Sequence, residues 1–251
     1  MKPSLPRTVW IILMSILYTI NTTGQSTLRR WLNTINRPWV DATINLWAVR
    51  VLRLVRVHYQ IINPHHIKPQ PNQPTIIMCN HSSLYDIPLS LRAFPHHSIR
   101  MLSKKELSTI PIMGKGMEAA EFPFIDRKNR RQAIKDLDAV QRLLTSGIVM
   151  WIAPEGTRSH DGQLAPFKKG TFITAIHAKA TIIPIGIRGA SSILQARTLQ
   201  FNLDQTAEIH IGKPIDASRY TQATKEALIE EVFHSINALL TPERPQEEQT
   251  H

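Results

Sequence analysis

The sequence predicts an α/β protein with a mixed central sheet flanked by helices, preceded by an N-terminal membrane-associating helical region. Beyond residue 75, short apolar runs of strand length alternate with helical patterns. Two of these runs, at 148–152 and 181–187, are almost entirely apolar, which is typical of central strands buried on both faces. Before residue 63, by contrast, apolar runs are combined with an excess of arginine.

The N-terminal 60 residues contain eight lysines and arginines and one aspartate, a net charge of +7 in a chain whose formal charge is +11. The uncharged, mostly apolar run 9–20 follows Lys2 and Arg7. It is shorter than the roughly 20 residues that a transmembrane helix needs. A secretory signal is the alternative, but residues 21–26 lack a small-x-small cleavage pattern.

A second N-terminal segment, 39–59, contains no proline and repeats apolar residues at helical spacing. It predicts a basic amphipathic helix, because Arg50, Arg53 and Arg56 recur three apart among apolar residues. Such a helix can lie on a membrane, where each basic residue contributes roughly 1 kcal/mol, although a surface helix with solvated arginines is the alternative. Four tryptophans accompany these segments, and together they favour membrane attachment through residues 1–62. Nucleic acid is not expected as a partner, because no DNA- or RNA-binding motif is present.

The four prolines between residues 63 and 74 predict a linker to the α/β domain. This domain is expected to span residues 75–240, and the polar segment 241–251 to form a disordered tail. The elements predicted after the linker are, in order, strand 75–79, helix 86–93, strand 98–102, a strand-like segment 118–125, helix 130–144, strand 147–152, helix 170–178, strand 181–187, strand 207–211 and helix 220–240.

Disulfide and metal sites are not predicted. Cys79 is the sole cysteine, which excludes an intrachain disulfide and fits a reducing compartment. The histidine pairs at 65–66 and 96–97 do not have the spacing of a zinc site, because adjacent side chains point in different directions on regular structure.

The segment NHSSLYD at 80–86 places an imidazole and a carboxylate five residues apart at a strand-to-helix junction. Such residues do not share a face of a continuous helix, so contact requires His81 to leave the strand and Asp86 to lie in the following turn. A neutral imidazole can take a proton from an alcohol while a carboxylate fixes its tautomer. The hydroxyls of Ser82 and Ser83 are expected to cap the next helix. For this motif alone, a structural role is the alternative.

The segment PEGTRS at 154–159 follows a predicted strand, so its polar residues are expected at the carboxyl edge of the sheet, where α/β proteins bind ligands. Gly156 allows close backbone approach, Thr157 supplies a hydroxyl, and Arg158 can hold a phosphate by two parallel hydrogen bonds. A surface ion pair between Glu155 and Arg158 is the alternative.

These segments belong to an ordered series between residues 74 and 190 that consists of NHSSLYD, KKEL with a following IP and G, FIDR, PEGTRS, FKKG and IPI. The series resembles the glycerolipid acyltransferase family, especially the bacterial 1-acyl-sn-glycerol-3-phosphate acyltransferases. Ser82 stands where many members have glutamine, a difference that bears on substrate preference.

The resemblance implies that His81 is the general base that removes a proton from a glycerol hydroxyl and that Asp86 orients it. It requires no acyl-enzyme, so Cys79 need not be a nucleophile.

The resemblance also implies a substrate phosphate site. Its expected residues are Glu155, Gly156, Thr157 and Arg158, with Arg127 and Lys104 as further cations. Lys104 matches the family's phosphate ligand better than Lys105. For Arg127 alone, a salt bridge at the end of a strand is the alternative.

The implied reaction moves a fatty acyl group from acyl-CoA or acyl carrier protein to the sn-2 hydroxyl of 1-acylglycerol 3-phosphate, or lysophosphatidic acid, and yields phosphatidic acid. No cofactor or metal is implied, and membrane lipids are the expected partners. The excess of positive charge predicts that the domain faces the cytoplasm at the inner membrane. Glycerol 3-phosphate, another lysophospholipid or a lyso-aminolipid as acceptor remains open, as does a non-catalytic lipid-binding protein on the same fold.

Overall fold

A computed structural model describes residues 1–159 and 161–241. The tail predicted at 241–251 lies outside these residues except for its first position. The described helices are α1 (Leu5–Trp31), α2 (Arg37–Leu54), α3 (Asp86–Ala93), α4 (Met113–Ala119), α5 (Arg130–Thr145), α6 (Lys169–His177), α7 (Ala190–Ile193) and α8 (Lys225–Leu240). The described strands are β1 (His58–Ile62), β2 (Thr75–Cys79), β3 (Ile99–Met101), β4 (Ser103–Lys104), β5 (Phe124–Ile125), β6 (Val149–Ile152), β7 (Thr181–Arg188), β8 (Thr206–Ile211) and β9 (Ile215–Asp216).

The main sheet has the strand order β1-β8-β7-β2-β6-β3, with β9 beside β7. β2 runs parallel to both β6 and β7, and β3 runs parallel to β6. β8 and β9 run antiparallel to β7, so the predicted mixed sheet is confirmed. The carboxyl ends of β6, β2 and β7 therefore lie side by side along one edge, which is where ligands bind in open α/β sheets.

The central strands are buried on both faces because alternate residues enter two different apolar clusters. Ile77 and Ile183 belong to the cluster that includes residues of α2 and α3. Ile76 and Ile182 belong to the cluster that includes residues of α5, α6 and α8. The central strands β2, β6 and β7 are thus enclosed between helices.

Helix α1 exposes apolar residues that an ordinary surface helix would bury. Its exposed side carries apolar residues at helical spacing, namely Leu13, Ile16, Leu17, Ile20, Leu28 and Trp31. The hydroxyl-bearing residues that line a cavity beneath it are Ser15, Thr19, Thr22, Thr23 and Ser26. The hydroxyls of three of these residues, Thr19, Thr23 and Ser26, donate to backbone carbonyls one turn earlier. Their hydrogen-bond donors are therefore satisfied within α1.

Within the described ranges, no helix is both long enough and apolar enough to cross a bilayer.

The helix predicted over 39–59 is too long at its C-terminal end. Arg56 has a φ of 53°, a left-handed conformation that stops a helix, and α2 ends at Leu54. The next residues form β1, which pairs in parallel with β8. Residues 58–62, which the sequence assigns to the N-terminal region, therefore lie in the main sheet.

The strand-like prediction for 118–125 is wrong over most of its length. The segment begins in α4, turns at Glu121 with a φ of 64°, and only Phe124–Ile125 form a strand, paired with β4 outside the main sheet. A short apolar run does not separate these alternatives by periodicity. The last helix also begins five residues later than predicted, at Lys225, because residues 220–224 are not helical and Thr224 is the N-cap.

Candidate active site

The turn between β2 and α3 is fixed to the neighbouring strand by Asn80. Its amide nitrogen donates to the carbonyl of Ile187 at 2.9 Å, and its amide oxygen accepts from the Ile187 N–H at 2.8 Å. The side chain thus extends the pairing of β2 with β7 by one residue. His81, the next residue, emerges at the carboxyl edge of a central strand.

His81 and Asp86 meet as the sequence predicts. Nδ1 of His81 lies 2.9 Å from Oδ2 of Asp86, which is fully buried. The same oxygen accepts the backbone N–H groups of Ser82 and Ser83, each at 2.7 Å. Because an ionised carboxylate can only accept, Nδ1 carries the ring proton and the lone pair of Nε2 is left for another partner.

The predicted capping of α3 by serine hydroxyls is wrong. The N-cap residue is Tyr85, and no side chain caps the helix there. The Ser83 hydroxyl instead accepts the N–H of Tyr85 at 3.2 Å and donates to the carbonyl of Leu194 at 2.8 Å. The backbone of this turn, rather than its hydroxyls, contacts the carboxylate of Asp86.

The segment PEGTRS holds the backbone of His81. Oε1 of Glu155 accepts the His81 N–H at 2.8 Å, and the Ser159 N–H donates to the His81 carbonyl at 2.7 Å. Oε2 of Glu155 accepts the N–H of Ala165 at 2.9 Å. Burial raises the pKa of Glu155, against the lowering effect of these two backbone donors.

Glu155 is therefore placed differently from its predicted position among substrate-binding residues. It is 1% exposed, and both of its oxygens are occupied by the protein's own backbone. It does not line the cavity beside His81. Nor does it form the alternative surface ion pair with Arg158, so its contacts are those of a positioning residue.

A cavity of about 1020 Å³ runs from His81 to the space between α1 and α2. Most of its wall is apolar, and the indole of Trp151 stands edge-on to the imidazole with 5.7 Å between ring centroids. The cations that line it are Lys104, Arg127, Arg158, Lys168 and Arg197. An apolar volume with a basic mouth suits a molecule that has a hydrocarbon chain and an anionic head.

The predicted phosphate residues Gly156, Thr157 and Arg158 all line this cavity. Gly156 has a φ of 77°, a conformation that favours glycine. Its carbonyl accepts a hydrogen bond from Nη1 of Arg127, which brings a second predicted cation to the same turn. Arg158 has no hydrogen-bond or ion-pair partner among the described residues.

The two neighbouring lysines differ in their contacts. Lys104 lines the cavity and has no ion-pair partner in the part of the chain that the structure describes. Lys105 points to Asp126 and pairs with it at 2.9 Å.

Lys168 and Arg197 are cavity residues that the sequence does not single out. Lys168 lies within the FKKG block, next to Gly156. Arg197 lies between α7 and β8, in a segment with no recognisable motif, and only the folded chain brings it to the cavity.

Comparisons with known proteins indicate the family of the chain. Residues 58–188 match the acyltransferase family model. The chain is 29% identical over 201 residues to 1-acyl-sn-glycerol-3-phosphate acyltransferase alpha of Mus musculus, an alignment that covers 76% of this chain and 70% of that protein. It is 32% identical over 153 residues to 1-acyl-sn-glycerol-3-phosphate acyltransferase of Saccharomyces cerevisiae, which covers 60% of this chain and 50% of the relative.

The fold is similar to the crystal structure of the 1-acyl-sn-glycerophosphate (LPA) acyltransferase PlsC from Thermotoga maritima. The TM-score is 0.75 at 22% identity, over 95% of this chain and 96% of that chain. The family model spans more than half of the chain. The chain therefore belongs to the acyltransferase family and is an acyltransferase enzyme.

Proposed function

We propose that the protein transfers a fatty acyl group from an acyl thioester to the sn-2 hydroxyl of 1-acylglycerol 3-phosphate, giving phosphatidic acid for phospholipid synthesis. The observation that carries this proposal is the hydrogen bond between His81 and Asp86 beside an apolar cavity whose mouth contains unpaired cations. The names of the relatives support the choice of acceptor.

The reaction needs one base and no covalent intermediate on the enzyme. Nε2 of His81 accepts the proton of the sn-2 hydroxyl while the hydroxyl oxygen attacks the thioester carbonyl carbon. The new C–O bond forms, the C–S bond breaks, and the proton passes from His81 to the departing thiolate. Asp86 keeps Nδ1 protonated and stabilises the imidazolium. A thioester is already activated, so these steps use no cofactor and no metal.

The phosphate of the acceptor would bind at the PEGTRS turn. Arg158 can hold a phosphate by two parallel hydrogen bonds, and Arg127 is tied to the same turn through the Gly156 carbonyl. Lys104 and the hydroxyl of Thr157 would complete the site. An anion at this position lies on the same cavity wall as His81, which supports the delivery of a nearby hydroxyl to Nε2.

The enzyme would work at the cytoplasmic face of the inner membrane, with α1 lying in the surface. The exposed apolar side of α1 and the net charge of +7 over the first 60 residues support this placement. Its substrate and product are membrane lipids. A cavity that reaches α1 would let the acyl chain enter without crossing much water.

The test is an acyl-transfer assay on the full-length enzyme. The acceptors are 1-acylglycerol 3-phosphate, glycerol 3-phosphate, another lysophospholipid, a lyso-aminolipid and monoacylglycerol, each with acyl-CoA and acyl carrier protein as donors. We expect 1-acylglycerol 3-phosphate to be the best acceptor. His81→Ala should lower kcat by about 10²–10⁴-fold, the usual contribution of a general base.

Three outcomes would contradict the proposal. Near-normal transfer by His81→Ala would remove the base. Equal turnover with monoacylglycerol would remove the phosphate role of Arg158. Absence of thioester consumption with every acceptor would indicate a lipid-binding protein.

A further inference from the structure

Three neighbouring strands carry functional groups at adjacent ends. β6, β2 and β7 lie next to one another and run parallel. Arg158 follows β6, His81 follows β2, and Arg197 follows β7 by way of the short helix α7. All three residues line the same cavity. Cations thus reach the cavity from the strands on both sides of the one that carries the base.

Arg197 lies in the turn of a short hairpin that packs on the loop between β2 and α3. Leu194 and Phe201 close this hairpin through a β-bridge, and both are buried. The Ser83 hydroxyl donates to the Leu194 carbonyl at 2.8 Å, and the Tyr85 ring stands edge-on to Phe201 at 6.5 Å. The base of the hairpin is therefore fixed directly to the turn that holds the His81–Asp86 pair.

The guanidinium of Arg197 is free to bind a ligand. The side chain is exposed, lines the cavity, and has no hydrogen bond or ion pair with any residue in the described ranges. Ala196, the residue before it, is buried, so the turn is anchored although its arginine is not neutralised. An unpaired guanidinium on an anchored turn beside a cavity is suited to an anion.

The proposed reaction brings two phosphate-bearing substrates to His81. The acceptor carries one phosphate, and the donor, whether coenzyme A or a carrier protein, presents its acyl group on a phosphopantetheine arm. The hydroxyl and the thioester carbonyl must meet at one imidazole, whereas like-charged phosphates repel each other. Separate cations on the two sides of His81 would hold the two phosphates apart while their reactive groups converge.

We propose that Arg197 binds the phosphate of the donor's phosphopantetheine arm on the β7 side, which leaves Arg158 and Arg127 on the β6 side to the phosphate of the acceptor. This assignment rests on the proposed function. It gives the phosphate of the donor a binding residue of its own, separate from the PEGTRS turn.

The experiment measures donor and acceptor KM separately for wild type, Arg197→Ala and Arg197→Lys. The donors are acyl-CoA, acyl carrier protein and acyl-pantetheine, which lacks phosphate. Arg197→Ala should raise KM for both phosphate-bearing donors by about 10–100-fold, the usual effect of losing a hydrogen bond to a charged group, with the acceptor KM unchanged. With acyl-pantetheine, wild type and variant should be equal. Lysine should rescue in part, because it keeps the charge but loses the planar fork.

Two matched variants serve as controls. Lys213→Ala removes one exposed positive charge between β8 and β9, away from the cavity, and should leave both KM values unchanged. Arg158→Ala should raise the acceptor KM and spare the donor KM, the reverse of Arg197→Ala.

The assignment is overturned if Arg197→Ala raises the acceptor KM instead, or leaves the donor KM unchanged. A loss confined to acyl-CoA would also overturn it, because the contact would then be with the nucleotide phosphates. The readout is the donor KM with whichever acceptor the wild type uses. A different preferred acceptor would therefore contradict the proposed function without affecting this test.

Discussion

His81 is held at four points by atoms from two parts of the chain, residue 86 and the segment 151–159. Asp86 binds Nδ1, Glu155 accepts the backbone N–H, Ser159 donates to the carbonyl, and Trp151 packs edge-on against the ring. These contacts leave Nε2 as the ring atom that faces a ligand. The imidazole is thus oriented before any substrate binds. The entropy lost in orienting the base is therefore lost on folding and not in the reaction.

Asp86→Asn tests whether the charge of Asp86 matters. Oδ2 of Asp86 accepts Nδ1 of His81 and the backbone N–H groups of Ser82 and Ser83, so the asparagine oxygen should take its place and keep the tautomer. The variant removes the negative charge that stabilises the imidazolium, and we expect kcat to fall by about 10²–10⁴-fold with acceptor KM and the folded circular dichroism spectrum unchanged. Near-normal kcat in a folded variant would show that the charge of Asp86 does not assist the base.

Cys79→Ala is the matched control at the same strand end. Burial raises the pKa of the Cys79 thiol well above its ordinary value, so the sulfur is not a thiolate nucleophile. We expect kcat close to that of wild type and no acyl adduct by mass spectrometry. An acyl-cysteine at this position would contradict direct transfer.

Glu155→Gln separates a positioning role from a substrate-binding role. Glutamine offers one acceptor oxygen where glutamate offers two, so either the His81 or the Ala165 N–H is left without an acceptor. We expect about 1–3 kcal/mol less stability in urea unfolding and a lower kcat, with acceptor KM unchanged. A raised acceptor KM with normal stability would instead indicate contact with substrate.

At the scale of elements, the cavity depends on how closely α1 approaches α4. Gly116 in α4 allows this contact, because a Cβ there would lie 2.2 Å from the Thr23 carbonyl oxygen. Gly24, on the same helix α1, has no such restriction: its added Cβ would meet Ile112 at an ordinary 3.6 Å. Glycine is therefore required at position 116, where the backbones of α1 and α4 are in contact, and it is not required at position 24.

Gly116→Ala should therefore destabilise the protein, because the two helices must separate. We expect a loss of about 1–3 kcal/mol in thermal or urea unfolding, together with lower transfer activity as the cavity wall shifts. Gly24→Ala is the matched control and should gain about 0.5–1 kcal/mol, since alanine is the better helix former. Equal effects of the two substitutions would contradict the close contact of α1 with α4.

A second tie joins the start of α2 to the connection between α4 and β5. Arg37 makes two hydrogen bonds of 2.8 Å to the carboxylate of Glu121. The hydrogen bond from Arg37 holds the pKa of Glu121 below its ordinary value. Folding thus favours the ionised carboxylate, and the stabilisation is present above the ordinary glutamate pKa of about 4.3 and lost as the pH falls through the depressed value.

Glu121→Gln should accordingly lower stability at neutral pH but not in acid. Both partners are about one-third exposed, so we expect less than about 1 kcal/mol. The measurement is urea unfolding of both proteins from neutral pH down to about pH 3, where the curves should converge. A difference that stays constant across this range would show that the charge of Glu121 is not what stabilises the contact.

At the scale of the whole molecule, short sequence motifs predict those contacts that are made between residues close together in the chain. The contact of His81 with Asp86 is made within one turn, and the strand before PEGTRS sets the direction of Arg158, so both placements follow from the sequence. Arg197 reaches the cavity only because β7 pairs with β2. No short sequence motif predicts that pairing. The position of Glu155 differs from its prediction. A charged residue inside a polar motif suggests an exposed side chain, but the fold buries this one.

The same limit applies to the N-terminal region. Its apolar run and its arginines are evident in the sequence, but the arrangement of α1, with hydroxyls toward the cavity and leucines outward, follows only from the packing of α1 over the cavity. Because the outward side lies next to no other part of the described chain, it forms a strongly apolar helical surface beside the cavity that would hold the acyl chain.

Binding to lipid vesicles tests the role of this surface. We expect the full-length protein to bind vesicles that contain anionic lipid more tightly than neutral ones, and less tightly as salt screens its positive charge. The double substitution Leu13→Glu, Leu17→Glu should abolish binding, because a leucine buried in an apolar phase contributes up to about 1.5–3 kcal/mol.

Ile134→Glu, which changes an exposed apolar residue on α5, is the matched control and should bind like wild type. The α1 variant should still turn over a short-chain, water-soluble lysolipid, since its cavity is unaltered. Wild-type vesicle binding by the α1 variant would show that another surface meets the membrane.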